Sequence, residues 1–272
     1  MHTYTVTERD VTQAWVAACN KLDRKDNPDR TGLHTVVRIA DPTSDDPAFR
    51  AELDRLRSAR GLWPLETVAS TLFPAALAAR SAGSDELAER YRQMYQIIKR
   101  YPGNHRGTYF GRLVSYPAVS KSGVDQLGTV INRLRAQAAG TKIAAAYEID
   151  LSAATDADTD TDTDTDTGEA GADLLVHTAG KDNSYIGFPC LSHISLQLDR
   201  DRRVHAAALY RNHFMFERAY GNYLGLGRLL AYIAQQAELA CGSLTVVAGH
   251  ARLDGPITQL RPLLTGTSRF AA

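Results

Sequence analysis

Ile194-Ser195-Leu196-Gln197-Leu198, Asp199-Arg200-Asp201-Arg202-Arg203 and Val204-His205-Ala206-Ala207-Ala208-Leu209-Tyr210 are the stretch that decides the fold class. Ile194, Leu196 and Leu198 alternate with Ser195 and Gln197, the period-two pattern of a half-buried strand. The charged segment reads as a turn and Val204 to Tyr210 as the returning strand, so two antiparallel strands lie next to each other in sequence. Outward from this hairpin, helices and further strands follow without a regular βαβ rhythm. Val11 to Leu22 spaces Trp15, Cys19 and Leu22 along one helix face, with Thr12 as the cap. His34 to Ala40 and Lys142 to Leu151 read as strands. Asp46 to Arg57, Asp85 to Arg100 and Val124 to Gln137 read as helices, as does a shorter one opening at Pro64. Leu224 to Leu239 is a buried helix and Leu244 to Ala248 a last strand. The class is therefore α+β, a mixed and largely antiparallel sheet packed by helices.

The chain of 272 residues suffices for one domain. Its formal charge of zero conceals an asymmetry, because residues 153–172 hold six Asp and one Glu without a Lys or Arg. Outside that segment, 31 basic residues face 24 acidic ones, a body suited to an anionic small substrate or a folate-like polyanion. No Lys/Arg run with interleaved aromatics appears, which argues against nucleic acid as a partner. Thr155 to Thr167 alternates Thr and Asp with no apolar residue but Ala157, so the segment is expected to be a disordered, solvated loop. Three cysteines without CxxC spacing argue against disulfides and structural zinc. No apolar run is long enough for a membrane span, and a cytoplasmic setting is expected.

Cys190 follows Pro189 in a turn just ahead of the hairpin. Cysteine is often a small buried hydrophobe, and Cys19 and Cys241 are read that way. Cys190 has a second reading as a nucleophile, because a proline-fixed turn can present a thiol to a cleft and a cation such as Arg211 favours the thiolate. A thiol hydrolase would need a base nearby. His193, His213 and His250 are the candidates, but strand alternation points His193 to the opposite face from Cys190.

Pro189-Cys190, the alternating strands, Leu209-Tyr210-Arg211-Asn212, Asn222 and Leu229-Leu230-Ala231-Tyr232-Ile233-Ala234-Gln235-Gln236 follow one another in an order that resembles the catalytic half of a thymidylate synthase. Pro28-Asp29-Arg30-Thr31-Gly32 resembles the phosphate loop of that family. Leu65-Glu66 resembles its catalytic glutamate segment, and Asp125-Gln126-Leu127 the helix leading to its arginine-pair strand. The resemblance implies a thymidylate synthase-like fold and a homodimer. It also implies a pyrimidine nucleotide substrate and 5,10-methylene-tetrahydrofolate as the one-carbon donor. Carried over, Cys190 attacks C6 of the ring, Arg30 and Arg211 hold phosphate, Asn222 reads the ring's amide edge, and Glu66 moves protons through water. Read locally, Arg30 and Arg211 are equally at home in surface ion pairs, Asn222 as a helix cap and Glu66 as a first-turn acid.

The departures from the family pattern are specific. The paired arginines become Thr141-Lys142, leaving Lys142 as a point cation. Arg-Ser-x-Asp becomes Arg211-Asn212-His213-Phe214, without the acid expected at the pterin. The late Asp-x-His-x-Tyr motif reads His250-Ala251-Arg252-Leu253-Asp254, which brings His250 and Arg252 to the sugar region. Phe110 stands where the family has a tyrosine, with Tyr109 beside it. The combined expectation is a divergent C5 methyl- or hydroxymethyltransferase acting through a Cys190 adduct. The alternative is a non-catalytic nucleotide-binding or scaffold protein that keeps the fold.

Overall fold

In the computed structural model, residues 2–100, 108–116, 123–140, 147–151 and 190–266 are described. The Thr-Asp segment, Lys142 and the start of the strand expected at 142–151 lie outside them. The chain runs β1 (Thr5–Glu8), α1 (Val11–Leu22), β2 (Thr31–Ile39), α2 (Pro47–Ser58), α3 (Leu65–Leu72), α4 (Ala75–Ala78), α5 (Ser84–Ile98), α6 (Tyr109–Val114) and α7 (Gln126–Ala139). It continues through β3 (Glu148–Asp150), β4 (Leu191–Leu198), β5 (Arg203–Phe214), a π-helical turn (Met215–Ala219), α8 (Tyr220–Gln236), β6 (Ala240–Arg252) and α9 (Ile257–Gly266). The described strands form one mixed sheet in the order β1-β2-β6-β5-β4-β3, packed by helices. The expected β4–β5 hairpin is present and antiparallel, joining Leu198 to Val204 and Ile194 to Ala208.

Two local βαβ units were not expected. β1 and β2 are parallel across α1, and β5 and β6 are parallel across α8. β1 escaped because Thr5 to Glu8 is short and polar on its open side. The expected strand at Leu244 to Ala248 proves to be thirteen residues long, running down the middle of the sheet between β2 and β5.

Helix starts follow side-chain capping. Asp46 accepts the Ala48 and Phe49 N–H groups, and Asp125 accepts that of Gly128. The cap of α1 is Asp10, which accepts from Gln13 N–H, and not Thr12. Thr12 is buried instead, its hydroxyl 2.7 Å from the Tyr220 hydroxyl and 2.8 Å from the Asp46 N–H, so it ties α1 to α8 and α2. Trp15, Phe49 and Tyr220 pack as an aromatic trio at this junction.

α3 lies against α8 because α8 offers glycines on that side. A Cβ on Gly221 would stand 2.6 Å from Val68 Cβ, and one on Gly225 would stand 2.7 Å from the Ala69 carbonyl oxygen. Both distances are shorter than packed atoms tolerate. The two helices thus meet at backbone distance.

Candidate functional site

Cys190 sits at the head of β4, half-exposed, with its carbonyl accepting the Arg211 N–H at 2.7 Å. The next residue, Leu191, donates its N–H to the Tyr109 hydroxyl at 3.2 Å, which brings α6 against the strand start. Tyr109 is almost fully buried, and burial raises its phenol far above the ordinary range. It stays protonated at any working pH and acts as a hydrogen-bonding hydroxyl.

Asn222 enters from the first turn of α8 and is 6 % exposed. It is not the helix cap, a position taken by Ala219. Its Nδ2 donates to His213 Nε2 at 3.2 Å, so the imidazole proton sits on Nδ1 in this arrangement. His213 is stacked on Tyr210 with ring centroids 4.3 Å apart. Burial pushes its pKa down to about 3, so the ring is neutral and acts as an acceptor that orients Asn222.

Cys190, Tyr109, Asn222 and His213 line one narrow cleft with a cavity volume of about 20 Å³. Val68 and Thr71 of α3 form a wall, and Asn212, Phe214 and Arg218 complete the lining. Chemically the cleft offers a thiol, a phenol, two carboxamides and a guanidinium around apolar walls. The groups are those that engage a flat polar ring beside a nucleophile, and the cleft as it stands has room for about one water molecule, so a ring enters only as its walls move apart.

No family model matches the chain. No curated protein matches its sequence either.

Of the residues singled out in the sequence, Cys190 and Asn222 line this cleft, and His250 stands one bond behind it. Its Nδ1 lies 2.9 Å from Asn212 Oδ1, and Asn212 is in the lining. His213, weighed as a base, lines it as well. Lys142 lies outside the described residues, and the remaining ones are elsewhere. Arg211 is exposed while its neighbour Tyr210 is buried, as strand alternation requires, so its side chain leaves from the opposite face of β5. Glu66 faces away because Val68, two residues on, is turned about 200° around α3. Its carboxylate is held by both Arg228 terminal nitrogens at 2.7 and 2.8 Å, which keeps it below the usual carboxylate range.

Arg30 belongs to a separate surface recess with Asp23 and Arg261. Its Nε lies 3.2 Å from Asp23 Oδ1, and Arg261 grips the same carboxylate at 2.8 and 3.0 Å. Arg30 has a left-handed φ of 52°, fixed where its carbonyl accepts the Leu253 N–H. Arg252 is exposed at the end of β6, paired in register with Thr31 and Phe214. His193 is bonded at both ring nitrogens to Glu148 and Asp150 at the sheet edge and does not line the cleft.

The sequence reading missed Arg218 and underrated Tyr109. Tyr109 supplies the cleft hydroxyl, whereas the aligned Phe110 is a core residue packed on Phe73 and Tyr91. Arg218 precedes Asn222 by four residues, the spacing that places two side chains on one helical face. That signal was available had the helix been extended toward the strand.

Proposed function

We propose that this protein is a divergent C5 one-carbon transferase of the thymidylate synthase kind, acting on a pyrimidine-type ring through a covalent Cys190 adduct. The observation that carries this reading is the shared cleft. Cys190 at a strand head and Asn222 on a distant helix turn reach the same space, with His213 fixing the carboxamide. The Cys190 thiolate adds to ring C6, and the C5–C6 π pair moves toward the C4 carbonyl, whose oxygen becomes an enolate. Asn222 reads the adjacent N3–C4 amide edge, and the Tyr109 hydroxyl is available as a donor in the same cleft. C5 is then nucleophilic toward a one-carbon electrophile. Loss of the C5 proton and expulsion of Cys190 restore the ring.

The described lining does not suit a pterin. It contains no carboxylate, and Phe214 occupies the position where the resemblance asks for an acid. The ring-activating steps need only the protein and the ring. A thiol hydrolase is disfavoured because His213, the histidine in the lining, is buried as a very weak base. The non-catalytic reading draws support from Glu66, whose engagement by Arg228 takes a proton-moving carboxylate away from the cleft.

Hydrogen exchange at ring C5 decides between them. The protein in deuterated water should exchange the C5 hydrogen of at least one uracil or cytosine nucleotide, and Cys190→Ser should abolish it. Cys19→Ser and Cys241→Ser should leave it intact. Absence of exchange across the nucleotide set, or its survival in Cys190→Ser, sinks the transferase reading.

A homodimer is part of the proposal. One face of the sheet is left open around Leu209, which is 45 % exposed, with Ala207 exposed and Val36, Thr245 and Val247 half-buried beside it. A small apolar patch of this kind, bordered by Arg38, Ser195 and Arg211, suits an isologous contact with a second copy.

A further inference from the structure

The π-helical turn between β5 and α8 is held more firmly than its length requires. Trp15 Nε1–H donates to the Met215 carbonyl at 2.7 Å. Arg57, which is 1 % exposed, donates through Nη1 to the Phe216 carbonyl and, at 2.8 Å, to that of Glu217. From the other side, Asp254 accepts the Phe216 N–H at 2.8 Å and the Glu217 N–H at 3.1 Å. Side chains from α1, α2 and the segment after β6 thus converge on five consecutive backbone groups. A π-turn is rare and recurs at functional sites. The side chain it carries into the cleft is Arg218, which joins Cys190, Tyr109 and Asn222 in the lining.

Among the described lining residues Arg218 is the single permanent cation and none is acidic. His213 is neutral, so the positive charge among the described lining residues is carried by Arg218. A guanidinium offers two parallel donors that match a carboxylate or a phosphate oxygen pair. We propose that Arg218 binds the anionic group of the ring-bearing substrate inside the Cys190 cleft, and that Asp254 is the positioning residue that fixes it there. The ligand class is a pyrimidine whose carboxylate or phosphate lies close to the ring, since ring-binding and anion-binding groups share one cleft. This rests on the ring-binding reading above.

Calorimetric titration with two matched pairs tests it, using uridine 5′-monophosphate against uridine and orotate against uracil. In at least one pair the anion should bind the full-length protein about tenfold or more tighter than its neutral counterpart. Arg218→Gln should erase that ratio while leaving the neutral ligand's affinity unchanged, which also shows that the variant folds. Arg218→Lys should restore part of the ratio, and Asp254→Asn should reduce it without abolishing neutral binding. Cys190→Ser should keep it. The pair that responds separates phosphate from carboxylate.

The inference is overturned if neither pair shows an anion preference, or if Arg218→Gln retains one. It is overturned equally if Arg211→Gln or Arg30→Gln removes the preference in place of Arg218→Gln. An anion preference that depends on Arg218 without C5 exchange would sink the transferase reading alone. Exchange without that preference would sink this inference alone.

Discussion

His213 carries a neutral ring at the bottom of the cleft, and this has a consequence for acid stability. Its pKa falls from 6.5 to about 3 on burial. Between those values the unfolded chain binds a proton that the folded protein refuses. The stabilisation from keeping the ring neutral is therefore complete above pH 6.5 and is lost as pH falls toward 3. His213→Asn should lower stability at pH 7 by about 1–3 kcal/mol through lost stacking and hydrogen bonding. The same variant should show a shallower loss between pH 6.5 and 4 in urea denaturation. An acid slope equal to that of the wild type would mean that His213 titrates in the folded state. The sequence exposed the thiol and the carboxamide at this scale because their spacing was regular. It hid the role of His213, since nothing in Asn212-His213-Phe214 tells a buried acceptor from an exposed base. That distinction depends on Tyr210 and α8 closing over the ring.

The π-turn supplies the opposite sign at the scale of an element. Asp254 is raised by burial from 3.8 to about 6, the Phe216 and Glu217 N–H groups offsetting only part of that cost. Here the folded protein holds the extra proton, so stability falls as pH rises from about 4 to 6 and the penalty is full above 6. Its size across that window is about 2–3 kcal/mol. In the wild type the His213 and Asp254 terms run against each other. Asp254→Asn should unmask the histidine and make stability climb more steeply between pH 4 and 6, a comparison that chemical denaturation at stepped pH reads directly. Most helices were legible because capping aspartates and apolar spacing act locally. The π-turn was not, since its carbonyls and N–H groups are satisfied by Trp15, Arg57 and Asp254, residues far away in sequence. Gly221, Gly225 and Gly227 also weaken the helical signal at the start of α8. Their purpose shows only against α3 and Pro42.

Among the described residues, the central strand pair and the helical cover make one sheet with a face packed by helices and a face on which Leu209 is exposed. Among the described residues no helix is long and apolar enough to cross a membrane. The proposed homodimer predicts that the wild type sediments as a dimer at micromolar concentration and Leu209→Asp as a monomer, with little change in the circular dichroism of the subunit; a monomeric wild type would overturn the dimer. An unchanged dimer would place the contact elsewhere. The hairpin that fixed the fold class was readable by alternation alone. The parallel pairings β1–β2 and β5–β6 were not, because parallel partners are joined through a helix and their register depends on how that helix packs. Arg211 was misplaced for a related reason. A strand has two faces, and the sequence does not say which one the cleft adjoins.

The glycine contacts between α3 and α8 have a consequence for how such a protein changes over generations. Val68, the residue that a side chain at Gly221 would strike, also forms a wall of the cleft. The gap between two helices and the bore available to a ligand are therefore the same dimension. Replacing Gly221 with alanine leaves every polar group of the cleft in the sequence, yet it cannot be accommodated without moving Val68 or the helix that bears it. A lineage carrying this sequence can retune the width of the cleft from behind its wall, without mutating any of the polar residues that line it.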